Sequence, residues 1–215
     1  MDAATRERVK LLLREFVDAW IAKQHEELRR IEEEGFSPSG VLAPFHDALV
    51  PGIRGLGERG FSTGLGNLHE RIGLTIADHA HLEARRAFDL AGPLPMLARE
   101  FVTQRVNQLS RGEGVPDHAY EREQLLSAFG DEVPAATRID LYIRTHDGED
   151  HYFEMKSPKP NRGQCIEMKQ RQLTVLGIRR NARVFAWWGV PLTHTAASTP
   201  MPIRTLCASS ISLTR

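Results

Sequence analysis

The sequence predicts a mixed α/β fold of the α+β kind: a mixed central sheet flanked by helices, behind a helical N-terminal region. The first observation behind this is a change of period. Up to about residue 130 apolar residues recur mostly in steps of three and four, whereas "TRIDLYIRT" alternates Ile139, Leu141 and Ile143 against Asp140, Tyr142 and Arg144. The second is the order of elements beyond that switch, which reads strand, strand, helix, strand. With 215 residues and 41% hydrophobic content, the chain can bury a sizeable core.

The elements follow in order. From Thr5 to about Glu34, residues such as Val9, Leu12, Phe16, Trp20 and Leu28 recur at helical spacing among Arg, Lys and Glu, and Gly35 ends the run. The charge run "EELRRIEEEG" within it is a solvated helix face. Residues 35 to 66 are rich in glycine and broken by Pro38, Pro44 and Pro51. Their "GLGERG" formally matches a dinucleotide fingerprint, but that motif needs a strand before it and an acidic residue about 20 positions on, so nicotinamide binding is set aside.

A second amphipathic helix is expected from Leu65 to about Phe88, with Leu65, Leu68, Ile72, Ile76 and Ala80 on one stripe. His79 and His81 within it diverge around a helix and lack a completing ligand, so they are read as surface or packing residues. Residues 95 to 110 and 117 to 130 form two more helices, with "GPLP" and "RGEGVP" as the breaks. "TRIDLYIRT" and "HYFEMK", joined through the Asp-Gly turn of "HDGED", form a β-hairpin. After the loop "SPKPNRG" come a helix over about residues 164 to 179 and the apolar strand "ARVFAWW".

Bulk properties narrow the function classes only a little. Basic and acidic residues balance at 28 each, so net charge speaks neither for nor against a polyanionic partner. The cysteines, Cys165 and Cys207, lack zinc or disulfide spacing, which fits a reducing cytoplasm. The charged start "MDAATRERVK" does not resemble a signal peptide, and no apolar run approaches the roughly 20 residues of a membrane span. No P-loop or GxSxG motif supports an ATP-driven translocase or a serine hydrolase.

Glu-Met-Lys occurs twice, at 154–156 and at 167–169. A Glu and a Lys two positions apart share one face of a strand but diverge on a helix, so only the first copy, on the second hairpin strand, can act as a unit. Pairing across the hairpin brings Asp140 towards Glu154. Two carboxylates placed together repel unless a cation lies between them, and Mg²⁺ suits such oxygen sites while retaining waters and accepting phosphate oxygens. The chemistry this suggests is metal-assisted phosphodiester hydrolysis, with Lys156 orienting or deprotonating the nucleophile. An ordinary cross-strand ion pair is the plainer alternative.

The segment "RIDLYIRTHDGEDHYFEMKSPKPNRGQCIEMKQR" resembles the PD-(D/E)XK nucleases, and in detail the TdeIII-like type II restriction endonucleases. "ERGFSTGLGNLHERIGLTIA" resembles the same group upstream, so the likeness runs roughly from Phe36 to Phe185. It implies a restriction-endonuclease-like core, Mg²⁺ bound by Asp140 and Glu154, and a catalytic role for Lys156. It also implies Glu70 as an added helix-borne metal ligand. Ile139 stands where the proline of the superfamily's name would be, a position often without proline in such enzymes.

Between Glu154 and Arg183 eight basic residues face two acidic ones, which makes phosphate contact plausible. Lys159, Asn161, Arg162 and Gln164 are the first DNA-binding candidates, the last three also bearing groups that read base edges. The implied partners are double-stranded DNA, a second copy of the chain to match a palindromic site, and a cognate DNA methyltransferase. The expected organisation is a helical region at 1–64, the nuclease core at 65–188, and an atypical tail at 189–215. That tail has no Asp, Glu or Lys and ceases to resemble the group, which suggests truncation or a frameshift after about Trp188. A repair-type nuclease of the same superfamily and an inactive DNA-binding remnant are the alternatives.

Overall fold

The computed structural model describes residues 1–34, 58–156 and 160–189. Most of the Pro- and Gly-broken stretch, Lys159 and the tail from Val190 lie outside the described residues. The chain divides into two compact units, Met1–Leu68 and a second beginning at His69.

The first unit is built on α1 (Ala3–Glu34). Its first turn is capped by Asp2, whose carboxylate accepts the Thr5 N–H at 2.7 Å, leaving one fewer unsatisfied donor at the helix start. Val9, Leu12, Phe16 and Trp20 are half-buried along the inner face, as their spacing requires. The second helix, α2 (Glu58–Ala80), begins seven residues before its expected start at Leu65. Glu58–Gly60 of the "GLGERG" match form its first turn. At Gly64 a Cβ would stand 2.9 Å from the Phe16 ring, so a glycine lets the aromatic lie against the helix backbone.

Helix α2 also ends earlier than its pattern suggests, at Ala80, and residues 83–88 are strand rather than helix. β1 (Glu83–Pro95) pairs antiparallel with β2 (Glu132–Arg144), from Glu83 opposite Arg144 to Pro95 opposite Glu132. This long ladder satisfies a strand's worth of backbone groups and overrides the helical preference of "EARRAF". β3 (Asp150–Met155) closes the hairpin on β2, and β4 (Val184–Gly189) lies parallel to β3. The sheet order is β1-β2-β3-β4, with α3 (Met96–Arg111) and α4 (His118–Ser127) inserted between β1 and β2 and α5 (Arg162–Arg179) crossing from β3 to β4. This is the mixed sheet flanked by helices that the sequence predicts.

The main core lies between the sheet and α3, α4 and α5, where Leu94, Leu125, Tyr152 and Leu176 are buried together. Gly177 permits the close approach of α5, since a Cβ there would meet Leu94 Cδ1 at 2.6 Å. A smaller core joins Ala77 of α2 to Leu141 and Ile143. Two strands change allegiance between these cores. Ala84 packs on the α2 side and Arg86 bonds Glu70 of α2, but Phe88 stacks on Tyr142 at 4.5 Å in the main core. Ala87 makes that reversal with a left-handed backbone, φ 51°. On β2, Leu141 belongs to the small core and Ile139 to the main one. Asp140 lies between them.

Candidate active site

The hairpin register positions the first two acidic residues. Leu141 faces Phe153, so the next pair in the same register is Asp140 and Glu154. There the Met155 N–H donates to Asp140 Oδ2 at 2.7 Å, so the side chain of Asp140 takes up a backbone donor where the strands part. A charge-assisted bond of this kind fixes the carboxylate's orientation. At the end of β3, the Lys156 N–H donates to the Gly189 carbonyl at 3.0 Å and holds this residue on β4.

Lys156 Nζ lies 3.4 Å from Glu154 Oε2 and 3.7 Å from Asp140 Oδ2. The structure therefore brings Asp140, Glu154 and Lys156 together. Glu154 is the floor of the site at 1% exposure, whereas Asp140 and Lys156 are partly open to solvent. From α5, Arg171 Nη1 reaches both Glu154 oxygens at 3.2 Å, and its Nη2 pairs with Glu167. Burial and the neighbouring Asp140 charge push the Glu154 carboxyl above its usual pKa, with Arg171 and Lys156 pulling the other way.

The second Glu-Met-Lys does diverge. Glu167 faces outward to Arg171, while Lys169 turns inward to pair with Glu121 of α4, which is 0% exposed. Arg105 of α3 reaches the other oxygen of Glu121 at 2.9 Å. Sequence spacing gives no sign of this three-helix charge cluster, because its members are far apart in the chain. Arg171 is one of the eight basic residues between Glu154 and Arg183, but nothing in the local spacing signals its contact with Glu154.

The DNA-binding candidates have local tasks. Asn161 caps α5: its Oδ1 accepts the Gln164 N–H and Gln164 Oε1 accepts the Asn161 N–H, both at 2.9 Å. Arg162 donates to the Ser110 carbonyl on α3. Other members of the basic cluster are also engaged, Arg179 with the Tyr152 hydroxyl at 2.8 Å and Arg180 with Glu132 at 2.9 Å. Glu70 is held by Arg86 at 2.9 Å. Among the described residues no three Asp, Glu, His or Cys side chains gather closely enough to hold a metal, so Glu70 stands apart from the Asp140–Glu154 pair.

The paired carboxylates nevertheless suit a hard divalent cation. They offer oxygen donors, one of them buried, and the Asp140 charge disfavours ionisation of Glu154. Mg²⁺ commonly takes one or two protein carboxylates and fills its remaining positions with water and phosphate.

Comparison with known proteins shows the family of the chain. The family model described as "Type II restriction endonuclease, HinfI" matches residues 6–183, which include both strands and the helix of the site. The chain belongs to the HinfI family of type II restriction endonucleases. The curated relatives of this HinfI-family chain include the type II restriction enzymes HgiCII and HgiEI of Herpetosiphon aurantiacus. They are 32% identical over 83% of this chain and 34% identical over 84%, in each case across 70% of the relative. No solved structure matches the chain. The family is a type II restriction endonuclease family, as the resemblance implied. Among the described residues no helix is long and apolar enough to cross a membrane.

Proposed function

We propose that this HinfI-family chain is a Mg²⁺-dependent endonuclease of the PD-(D/E)XK kind, related in its site to the TdeIII-like enzymes, that cuts both strands of DNA at a short palindromic site. The observation that carries the reading is the convergence of Asp140, Glu154 and Lys156 where β2 and β3 part. Asp140 and Glu154 hold the cation, and Glu70 joins them only by giving up Arg86. A bound divalent ion neutralises the paired carboxylates and stabilises negative charge growing on the phosphate.

The chain's own residues supply the rest. The Met155 N–H keeps Asp140 aimed, and before the ion enters Arg171 compensates the charge of Glu154. Lys156, reaching both carboxylates from a partly open position, orients the attacking water and takes part in its deprotonation. Lys159, Asn161, Arg162 and Gln164 contact DNA along the start of α5, Asn161 and Gln164 through amide N–H groups that the capping box leaves over. In this reading residues 65–188 are the nuclease core and 1–64 a helical region. The enzyme works in the cytoplasm as a homodimer alongside a methyltransferase that protects the host's sites.

The test is incubation of the purified protein with unmethylated plasmid and genomic DNA, with Mg²⁺ or EDTA, using Lys156→Ala as control. Discrete Mg²⁺-dependent fragments absent from the variant are expected. A smear would point to a repair-type nuclease, and intact DNA to a binding remnant.

A further inference from the structure

Arg171 stands in an unusual position for a residue on the surface of a helix. Its Nη1 lies 3.2 Å from both oxygens of Glu154, the buried carboxylate of the proposed metal site, while Nη2 rests on the exposed Glu167. The Nη1 atom also points at the Arg138 carbonyl, at 3.4 Å. A guanidinium placed across both oxygens of a carboxylate uses the same lone pairs that a metal ion would coordinate. Lys156, 3.4 Å from Oε2 alone, does not cover Glu154 in this way.

We propose that Arg171 is the resident counterion of Glu154, which a divalent cation displaces on entering the site, so that Arg171 lowers the site's metal affinity. The inference rests on the assignment of Asp140 and Glu154 as metal ligands. Glu167 is the other half of the device: it is 53% exposed and one helical turn from Arg171, and it gives the displaced guanidinium a carboxylate to stay on. The pair keeps the buried carboxylate compensated in the metal-free protein, where an uncompensated charge would be costly. Glu154 is thereby held in place before the ion arrives.

The experiment is a titration of the full chain with Mn²⁺ alone, followed by the electron paramagnetic resonance signal of the free ion at about 0.15 M salt, where exposed charges are screened. Arg171→Met removes the competitor and is expected to tighten Mn²⁺ binding by about fivefold or more, given that bonds to charged groups are among the stronger ones. Arg171→Lys keeps the charge but not the two-oxygen contact, so its affinity falls between the two. Glu167→Gln acts in the opposite direction: with no second carboxylate to accept it, Arg171 stays on Glu154 and Mn²⁺ binding weakens.

Damage to the fold would weaken binding in every variant, so tightening in Arg171→Met is diagnostic. Unchanged or weaker binding by a folded Arg171→Met protein overturns the inference. Should that variant fail to fold, Glu167→Gln decides, and unchanged or tighter binding overturns it. Asp140→Asn serves as the reference. If the wild-type chain takes up no Mn²⁺ that Asp140→Asn abolishes, the metal-site reading itself fails instead.

Discussion

The two Glu-Met-Lys copies allow one substitution pair to separate chemistry from folding. Lys169 and Arg105 are the two cations on Glu121, a carboxylate with no solvent exposure. Removing one partner of a buried ion pair costs about 3–5 kcal/mol when the remaining charge is left uncompensated. Glu121 keeps Arg105 at 2.9 Å, so Lys169→Met is expected to cost roughly half of that, about 2 kcal/mol. For a chain of this size that lowers the unfolding midpoint by about 4–8 °C. Lys156 is partly exposed, and Glu154, one of the two carboxylates it touches, is also served by Arg171, so Lys156→Ala is expected to change stability by less than about 1 kcal/mol. It removes the ammonium from the proposed reaction and lowers cleavage at least about a hundredfold.

The assay is thermal unfolding of both variants beside plasmid cleavage at a temperature where both remain folded. An unchanged midpoint for Lys169→Met would refute the buried-charge argument. Equal losses of cleavage in folded Lys169→Met and Lys156→Ala would refute the division of roles between strand and helix.

Three further outcomes are expected. Asn161→Ala breaks the capping box of α5 and lowers stability by about 1 kcal/mol in urea unfolding, while unchanged fragment positions in the cleavage assay would show that Asn161 does not select the DNA site. Gly177→Ala places a methyl 2.6 Å from Leu94 Cδ1, and overpacking of this kind costs about 1–3 kcal/mol, read from the same unfolding curves. The raised pKa of Glu154 has a definite sign. Its ionised form is disfavoured in the folded chain, so a stability penalty sets in as the pH rises from the usual carboxylate value of 4.5 through the raised one and is relieved as the pH falls back. Protons compete with metal for the same oxygens, so Mn²⁺ affinity starts to fall at a pH above the ordinary glutamate range; a decline confined to pH below 4.5 would contradict this.

The part of the fold most legible in the sequence was the part with unmixed periodicity. Ile139, Leu141 and Ile143 alternate with Asp140 and Tyr142 in the sequence, and the hairpin, α5 and β4 follow where the pattern places them, although Ile139 and Leu141 enter different cores. β1 was not legible. Its Ala, Arg and Leu residues suit a helix, and only pairing with β2, some fifty residues later, makes it a strand. The site divides the same way. Asp140, Glu154 and Lys156 come together through register, which local sequence specifies. Arg171 and the Glu121 cluster depend on how α5 lies over the sheet and against α3 and α4, and no local spacing encodes that.

The reversal at Ala87, matched on β2 between Ile139 and Leu141, gives Asp140 two masters. One neighbour in the chain is anchored in the layer beneath α5 and the other in the layer beneath α2. A cavity opened in either layer therefore tugs on the carboxylate through a single peptide unit, and repairing one layer leaves the other's error in place. Engineering this protein for heat resistance by refilling its interior consequently has to treat both layers together, or the gain in melting temperature will come with a displaced Asp140.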